Sequence, residues 1–357
     1  MAGSHFGANS FYYYLSVVSF VDVVIVGAGP SGLRVAGLLH QAGLSVAILE
    51  ASDRVGGRLL TVEPGLDLGA TWFWQNESEV LEVISEHGLE TFPQHSLGNA
   101  MYQVPGNVVQ LEGNPLNHNG WRIVGGMAQI AYVLTKDFPI TSLSLATKVT
   151  AIDIEDEITV VTDKGNWNCR YVVIALPPAT AMSGITFNPR LPEDVEKTAS
   201  LTPVWMGAIR KVVAVYNTPF WRNNGLAGSA ISHSGPLREI HDMSDTTGSF
   251  GALFGFASAP ISELEAIAQL VDIFGPQAQE PVSILIHDWS ESEFTSPANV
   301  GELTDYGLFG STLLTQTHCD GRLLFTSTET STQAAGHIQG ALSAAKRTAT
   351  LIISSIS

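Results

Sequence analysis

Three glycines in Gly27-Ala28-Gly29-Pro30-Ser31-Gly32 are spaced for one kind of chemistry, the close approach of a backbone to a pyrophosphate. The first permits a tight turn, the second lets phosphate near the main chain, and the third lets a helix pack on the preceding strand. The N–H groups at the helix start, where Ser31 lies, supply the donors. Glu50 closes the next strand, where a carboxylate accepts hydrogen bonds from ribose hydroxyls and repels a 2′-phosphate, which disfavours NADP. A glycine-rich turn without function is the rival reading, and the strand–turn–helix–strand context with Glu50 favours a dinucleotide. Beyond it, Glu50-Ala51-Ser52-Asp53-Arg54-Val55-Gly56-Gly57-Arg58 sets two glycines beside an arginine, giving close backbone approach and a fixed guanidinium for a second phosphate contact. A surface salt bridge is the other role open to Arg58. Lys211 stands in a strand pattern, on one face with Val213 and Val215. Burial there lowers a lysine pKa and suits it to proton handling, unless the chain ends at a sheet edge with its amino group in water.

These residues need elements to hold them. Strand Val21–Val26 runs into the glycine turn, a helix from Leu33 to Ala42 stopped by Gly43, and strand Ser45–Glu50. After Gly88, Pro105-Gly106-Asn107, Gly113-Asn114-Pro115 and Asn117-His118-Asn119-Gly120 mark loop or hairpin. A helix over 126–136 precedes strands Val149–Ile154, Ile158–Asp163 and Tyr171–Leu176. From Trp205 the period changes to two, in Ile209–Tyr216, Ala227–His233, Leu237–Met243, Ala252–Ala257 and Val282–Asp288, with one helix over 261–274, as in a separate antiparallel sheet. Strand Leu323–Thr326 and a helix from Gly336 to about Ile352 return to the opening style, so the first domain is discontinuous.

Composition bounds the function. The 357 residues suffice for about two domains, and 45% apolar with 14% charged residues describes a globular chain. A formal charge of −17 repels phosphate backbones and anionic lipid, so neither nucleic acid nor a membrane surface is an expected partner. Cys169 and Cys319 have no metal-ligand spacing, and no metal site is expected. The apolar run from Phe11 to Val26 is interrupted by Asp22 and lacks a cationic flank. It reads as strand, and the expectation is a soluble, cytoplasmic protein.

The order of these motifs resembles the flavin-containing monoamine oxidase family over most of the chain. The glycine turn with Glu50 is similar to that family's FAD-binding start, and Val55-Gly56-Gly57-Arg58-x-x-Thr61 to its second FAD signature. Asp67-Leu68-Gly69-Ala70-Thr71-Trp72 is similar to the segment under the flavin, and Thr328-Glu329-Thr330 with Gly336-His337-Ile338-Gln339-Gly340-Ala341 to the closing FAD motif. The resemblance implies an α/β fold. A discontinuous Rossmann-like FAD-binding domain over 20–89, 120–200 and 291–357 carries a smaller antiparallel-sheet α+β substrate domain over 90–119 and 201–290, and residues 1–19 form an extension without assigned role.

Cofactor contacts implied by the resemblance fall on Gly27, Gly29, Ser31, Gly32, Glu50, Ala51, Gly57 and Arg58, then Gly69, Ala70, Thr71 and Trp72. Val149 would meet adenine through its backbone, and Trp289, Thr328, Glu329, His337 and Ile338 complete the set. Trp289 fits an ordinary core tryptophan nearly as well. Lys211 matches the lysine that holds a water against flavin N5. The two aromatic walls of the family's amine cage correspond to His337 and Asn299, neither of which is aromatic in that sense. The cysteine that binds flavin covalently in some members aligns near Ala298, so the FAD expected here is noncovalent. Lys211 and His337 are the candidate catalytic residues.

The implied activity is oxidation of a small amine, hydride passing to flavin and O2 reoxidising it to give hydrogen peroxide. Trp72 and Trp74 share one face of an extended segment as candidate walls, opposite Phe73. Without an Arg-rich segment near them, simple amines are expected rather than amino acids. A dehydrogenase of non-amine substrates on the same fold, and a non-catalytic FAD-binding protein, are the alternatives. The sequence leaves the oligomeric state open.

Overall fold

The structure, a computed structural model, describes residues 19–298, 300, 301, 303 and 305–356. The expected extension, apart from Ser19, and Asn299 lie outside the described residues. Strand β1 (Ser19–Val26) passes through the glycine turn into helix α1 (Pro30–Gln41) and on to β2 (Val46–Leu49). Val23 and Ile25 enter the core beneath α1, while Val24 and Val26 enter the core on the opposite face. A strand covered on both faces has no polar side, which is why this segment reads as an unbroken apolar run. A Cβ on Gly32 would stand 2.1 Å from the Gly27 carbonyl oxygen, and one on Gly27 would meet the Ala175 oxygen at 2.9 Å. Packing therefore demands both glycines.

The ribbon β3 (Thr61–Val62) and β4 (Leu66–Asp67) is followed by helix α2 (Ser78–His87), ended by Gly88 at φ +64°. Val80, Leu81, Val83 and Ile84 of α2 turn to the core at helical spacing, an element that the sequence reading leaves unassigned. Strands β5 (Thr91–Pro93), β6 (Asn99–Val104), β7 (Asn107–Gln110) and β8 (Trp121–Ile123) occupy the turn-rich stretch, with Pro105-Gly106 closing the β6–β7 hairpin. Helix α3 (Gln129–Leu134) and β9 (Leu143–Ser144) lead to β10 (Val149–Ile154), β11 (Ile158–Thr162) and β12 (Gly165–Ile174). Then come α4 (Pro178–Gly184), β13 (Thr186–Asn188) and α5 (Glu193–Leu201). Strand β14 (Arg210–Tyr216), α6 (Phe220–Asn223), β15 (Leu226–Ser232), β16 (Glu239–Asp242), β17 (Gly251–Ala257), α7 (Glu263–Phe274) and β18 (Ser283–Asp288) form the next run. The described chain closes with α8 (Thr312–Thr315), β19 (Leu323–Phe325) and α9 (Ile338–Ile356).

Two large sheets sort these strands. The first runs β13-β10-β11-β12-β1-β2-β9 with β19 beside β12, and the second β18-β14-β17-β16-β15-β6-β7. In the first, β1 is parallel to both β2 and β12, and β12 to β19. Strand β12 starts at Gly165 where Tyr171 is expected: residues 165–169 are one arm of a hairpin with β11, and Trp167 and Cys169 on the core side alternate with Asn166 and Asn168. The second sheet is antiparallel except where β6 joins β15 in parallel. One of its faces sets Val212, Ala214 and Tyr216 against Leu270 and Phe274 of α7. The other sets Val213 and Phe254 against Leu66 and Leu68, the chain that crosses from the first sheet. Among the described residues, no helix is long and apolar enough to cross a membrane.

The turn that carries the first glycines has no slack at Gly32. Gly32→Ala is expected to lower the unfolding free energy by about 1–3 kcal/mol through overpacking, read from urea denaturation, and an unchanged midpoint would mean that α1 can shift to admit the methyl.

Candidate active site

A cavity of about 370 Å³ lies between the two sheets, with the glycine turn at one end and Lys211 at the other. At the turn, Gly27, Gly29 and Ser31 form the wall. A Cβ on Gly29 would meet nothing within 4 Å, so the backbone there is open to a close-lying group. Helix α1 brings its N-terminus to this point. The Ser31 hydroxyl is hydrogen-bonded to that of Thr326 at 2.8 Å. Glu50 accepts from Ala28 N at 2.7 Å with one oxygen and from Ser52 N and Oγ at 2.9 and 2.6 Å with the other, which fixes the carboxylate at the end of β2. An open glycine backbone, a helix N-terminus and a fixed acid make a donor and acceptor set that fits the pyrophosphate and ribose of a dinucleotide.

Arg58 lines the middle of the cavity without being a surface pair. It grips Glu329 with two nitrogens, at 2.6 and 3.1 Å, and donates to the Trp205 carbonyl at 3.0 Å. The Glu329 side chain is 0% exposed. Burial pushes its carboxyl upward, but the Arg58 guanidinium outweighs that and holds it below the usual value. Glu329 thus anchors Arg58 from behind, and it is not among the residues that line the cavity. Gly32, Ala51 and Val149 are also off the wall. Gly32 is spent on the β1–α1 packing, and Val149 is buried at the edge of β10 in the core.

Lys211 is 1% exposed. Its Nζ donates to the Gly69 carbonyl at 2.9 Å and to Thr71 Oγ1, and sits 4.2 Å from the centre of the Phe254 ring. Burial drives its pKa down to about 7, against the pull of Asp67 and with the help of Arg122. Asp67 is raised by burial, with Arg122 and Lys211 opposing. Gly69 reaches the lysine only because it has no side chain, since a Cβ would lie 2.0 Å from the Arg58 carbonyl oxygen. The sheet register lines up His287, Lys211, Phe256 and Glu239 across β18, β14, β17 and β16.

Aromatic rings and two carboxylates complete the inner end. Trp289 is buried yet on the wall, its Nε1 donating to the Leu68 carbonyl at 3.0 Å. Ala70, Thr71, Thr328 and Ile338 are also on the wall, as is Gly57. Trp72 and Trp74 face the cavity while Phe73 enters the core, as alternation requires. His337, just before α9, lies 4.9 Å from Trp74 and binds Glu77 through Nδ1 at 2.8 Å.

Glu77, Trp205 and Glu239 are site residues that the sequence pattern does not reveal. Trp205 fits there because Gly336 yields the space, a Cβ being 2.4 Å from the Trp205 ring. Glu239 accepts from His241 Nε2 at 2.6 Å, and that hydrogen bond, against burial, holds its carboxyl below the ordinary value. The only forward signal for Glu239 is its place on a period-2 strand. Among the described residues, no cluster of three or more His, Cys, Asp or Glu could hold a metal ion.

The model of the family described as "Flavin containing amine oxidoreductase" matches residues 30–124 and 116–353. A probable flavin-containing monoamine oxidase A of Dictyostelium discoideum is 25% identical, over 90% of this chain and 95% of that one. The amine oxidase [flavin-containing] B of Bos taurus is 26% identical, over 93% and 86%. Among solved structures, putrescine oxidase bound to putrescine superposes with a TM-score of 0.82 at 24% identity, covering 94% of this chain and all of that one. Cyclohexylamine oxidase from Brevibacterium oxydans IH-35A gives 0.81 at 22%, over 94% and 99%. The superpositions speak for the fold; the family match, running from the glycine turn to α9, establishes that this chain belongs to the flavin-containing amine oxidoreductases, which are FAD-dependent enzymes.

Proposed function

We propose that the chain oxidises small amines that carry no carboxylate, using noncovalent FAD held along the cavity between the sheets. The observation that carries this reading is the enclosed Lys211 amino group, on the wall of the same cavity that opens onto the glycine turn. Glu50 and the turn around Gly29 would hold the adenosine diphosphate end. Arg58, kept rigid by Glu329, would meet phosphate or the flavin edge, and Thr71, Trp289 and Ile338 would border the ring system. When bound, FAD accepts the hydride of the carbon bearing the amine, leaving an imine that water hydrolyses, and O2 restores the cofactor. Lys211 holds a proton-handling group where bulk water does not reach. The two sheets act as cofactor and substrate domains with the boundaries read from the sequence.

The position of the cysteines supports noncovalent attachment. Neither described cysteine lines the cavity: Cys169 is buried in β12 with its thiol pushed up to about 12, and Cys319 lies in the turn before β19. Among the described residues that line the cavity, each Arg and Lys is already engaged, Lys211 by Gly69 and Thr71. Arg54 donates to the carbonyls of Val55, Leu59 and Gly57, Arg58 is taken by Glu329, and Glu239 adds a negative charge to the wall.

Hydrogen peroxide release and anaerobic bleaching of the flavin, over a panel of primary amines, polyamines and amino acids, test the reading. Bleaching by amines is expected; bleaching by non-amines alone, or by nothing in any panel, overturns it. A decarboxylated amine is expected to exceed its parent amino acid in kcat/KM by at least about tenfold, the effect of roughly 1.4 kcal/mol of like-charge repulsion. Acid denaturation is expected to release all yellow colour, and colour left on the polypeptide would locate a covalent bond.

Lys211→Met is expected to retain FAD and to slow flavin reduction or reoxidation by at least about tenfold, the scale of one acid–base contribution. A second measurement follows from linkage. The folded lysine titrates at about 7 and the unfolded one near 10.5, so between those values the unfolded chain binds more protons. Stability of the wild type relative to Lys211→Met is therefore expected to rise with pH across that window. A flat difference would mean that the amino group is solvated.

A further inference from the structure

Glu77, 5% exposed, stands behind Trp74 and His337 at the aromatic end of the cavity, and both its oxygens are engaged. One accepts from Trp74 N at 3.0 Å and the other contacts His337 Nδ1 at 2.8 Å. An ionised carboxylate only accepts hydrogen bonds, so Nδ1 carries the hydrogen. In the neutral ring the lone pair then belongs to Nε2, at the opposite corner. The His337 side chain is 36% exposed and lines the cavity, and Nε2 has no hydrogen-bond partner among the described residues.

The ring is held in this orientation. It lies 4.9 Å from Trp74 at 33° and 6.4 Å from Trp205, between the loop before α2 and the segment before β14. The His337 carbonyl accepts from Thr328 Oγ1 at 2.8 Å, which fixes the backbone at the start of α9. Other charged groups near it are committed elsewhere. Arg58 and Glu329 pair behind Trp205, Glu79 binds Lys346 between α2 and α9, and Lys211 is fastened to Gly69 and Thr71 across the cavity. His118 lies behind Trp74, at 5.7 Å.

Resting on the amine-oxidation reading, the geometry points to His337 as the group that takes the proton from the substrate ammonium, with Glu77 as the positioning residue that sets its tautomer. One N–H bond of the ammonium breaks and an Nε2–H bond forms, the electron pair of the broken bond staying on the amine nitrogen. No electron is exchanged. The positive charge moves from substrate to imidazolium, where the Glu77 carboxylate faces it. The amine gains the lone pair that its oxidation requires, and the exposed part of the ring returns the proton to solvent.

Two measurements test this. In protein labelled with 15N-histidine, the His337 signals, assigned by their loss in His337→Phe, are expected to show the neutral Nδ1–H tautomer. Glu77→Gln offers an amide donor to Nδ1 and is expected to shift the ring toward Nε2–H. An Nε2–H tautomer in the wild type overturns the inference, whether or not Glu77→Gln folds. The second measurement is kcat/KM for a series of alkylamines made progressively less basic by fluorination. His337→Phe is expected to cost at least about tenfold with the most basic amine and progressively less as the amine arrives already neutral. A penalty that is the same for all amines overturns the proton-transfer role while leaving amine oxidation standing; failure of every amine to reduce the flavin overturns both.

Discussion

The geometry of the site depends on a polar tie across the two sheets, from the Lys211 amino group on β14 to the Gly69 carbonyl and Thr71 hydroxyl on the chain that leaves the first sheet. A lysine taken out of water gives up hydration that few protein groups replace, and the arrangement meets that cost with a carbonyl, a hydroxyl, an aromatic face and the buried Asp67. Its acceptor is itself immobile, because Leu68 N and Gly69 N both donate to the Leu60 carbonyl and Ala70 N to that of Arg58. Moving the second sheet away from the first would strand the ammonium without its acceptors. The energetics of the lysine and the closure of the cavity are one constraint.

A second buried charge follows the same logic with the sign reversed. Glu329 contributes no contact to the cavity, yet its loss would leave Arg58 free to swing and Trp205 N without its acceptor at 3.2 Å. Breaking a buried pair by removing one partner costs roughly 3–5 kcal/mol, so the acid is a structural necessity once the arginine is there. What the pair provides is a guanidinium whose direction is set before any ligand arrives, and preorganised charge loses less on binding than a mobile side chain does.

What could be read from the sequence tracks how local the responsible constraint is. Gly27 and Gly32 are legible because the clash that demands them involves neighbours in the same turn and the end of an adjacent strand. Lys211 is legible because alternation with Val213 and Val215 fixes its face, and the same rule separates Trp72 and Trp74 from Phe73. Glu329 was expected at the cofactor because residue type alone does not say whether a carboxylate faces a ligand or an arginine 271 positions away. Glu77 is not legible at all, since its partner His337 is 260 positions distant. The parallel pairing of β6 with β15 is hidden for a related reason: Leu226↔Asn99 and Ala230↔Met101 join segments with no turn between them to signal a register.

The distribution of charge at the inner end answers a conflict built into amine oxidation. An amine near neutral pH arrives as a cation, which carboxylates and aromatic faces attract, but the reacting nitrogen needs a lone pair, which a cation lacks. A cavity with only carboxylates would hold the ammonium too well in its unreactive form, and one with only apolar walls would fail to draw it from water. Here the functions are divided. Glu239, half-exposed and kept ionised by His241, is available to the solvent-borne cation, whereas Glu77 spends its charge on His337 and Trp74 rather than on the substrate. On the proposed roles, attraction and deprotonation fall to different groups, and the aromatic rings of Trp72, Trp74 and Trp205 line the space between them with surface that favours a neutral amine.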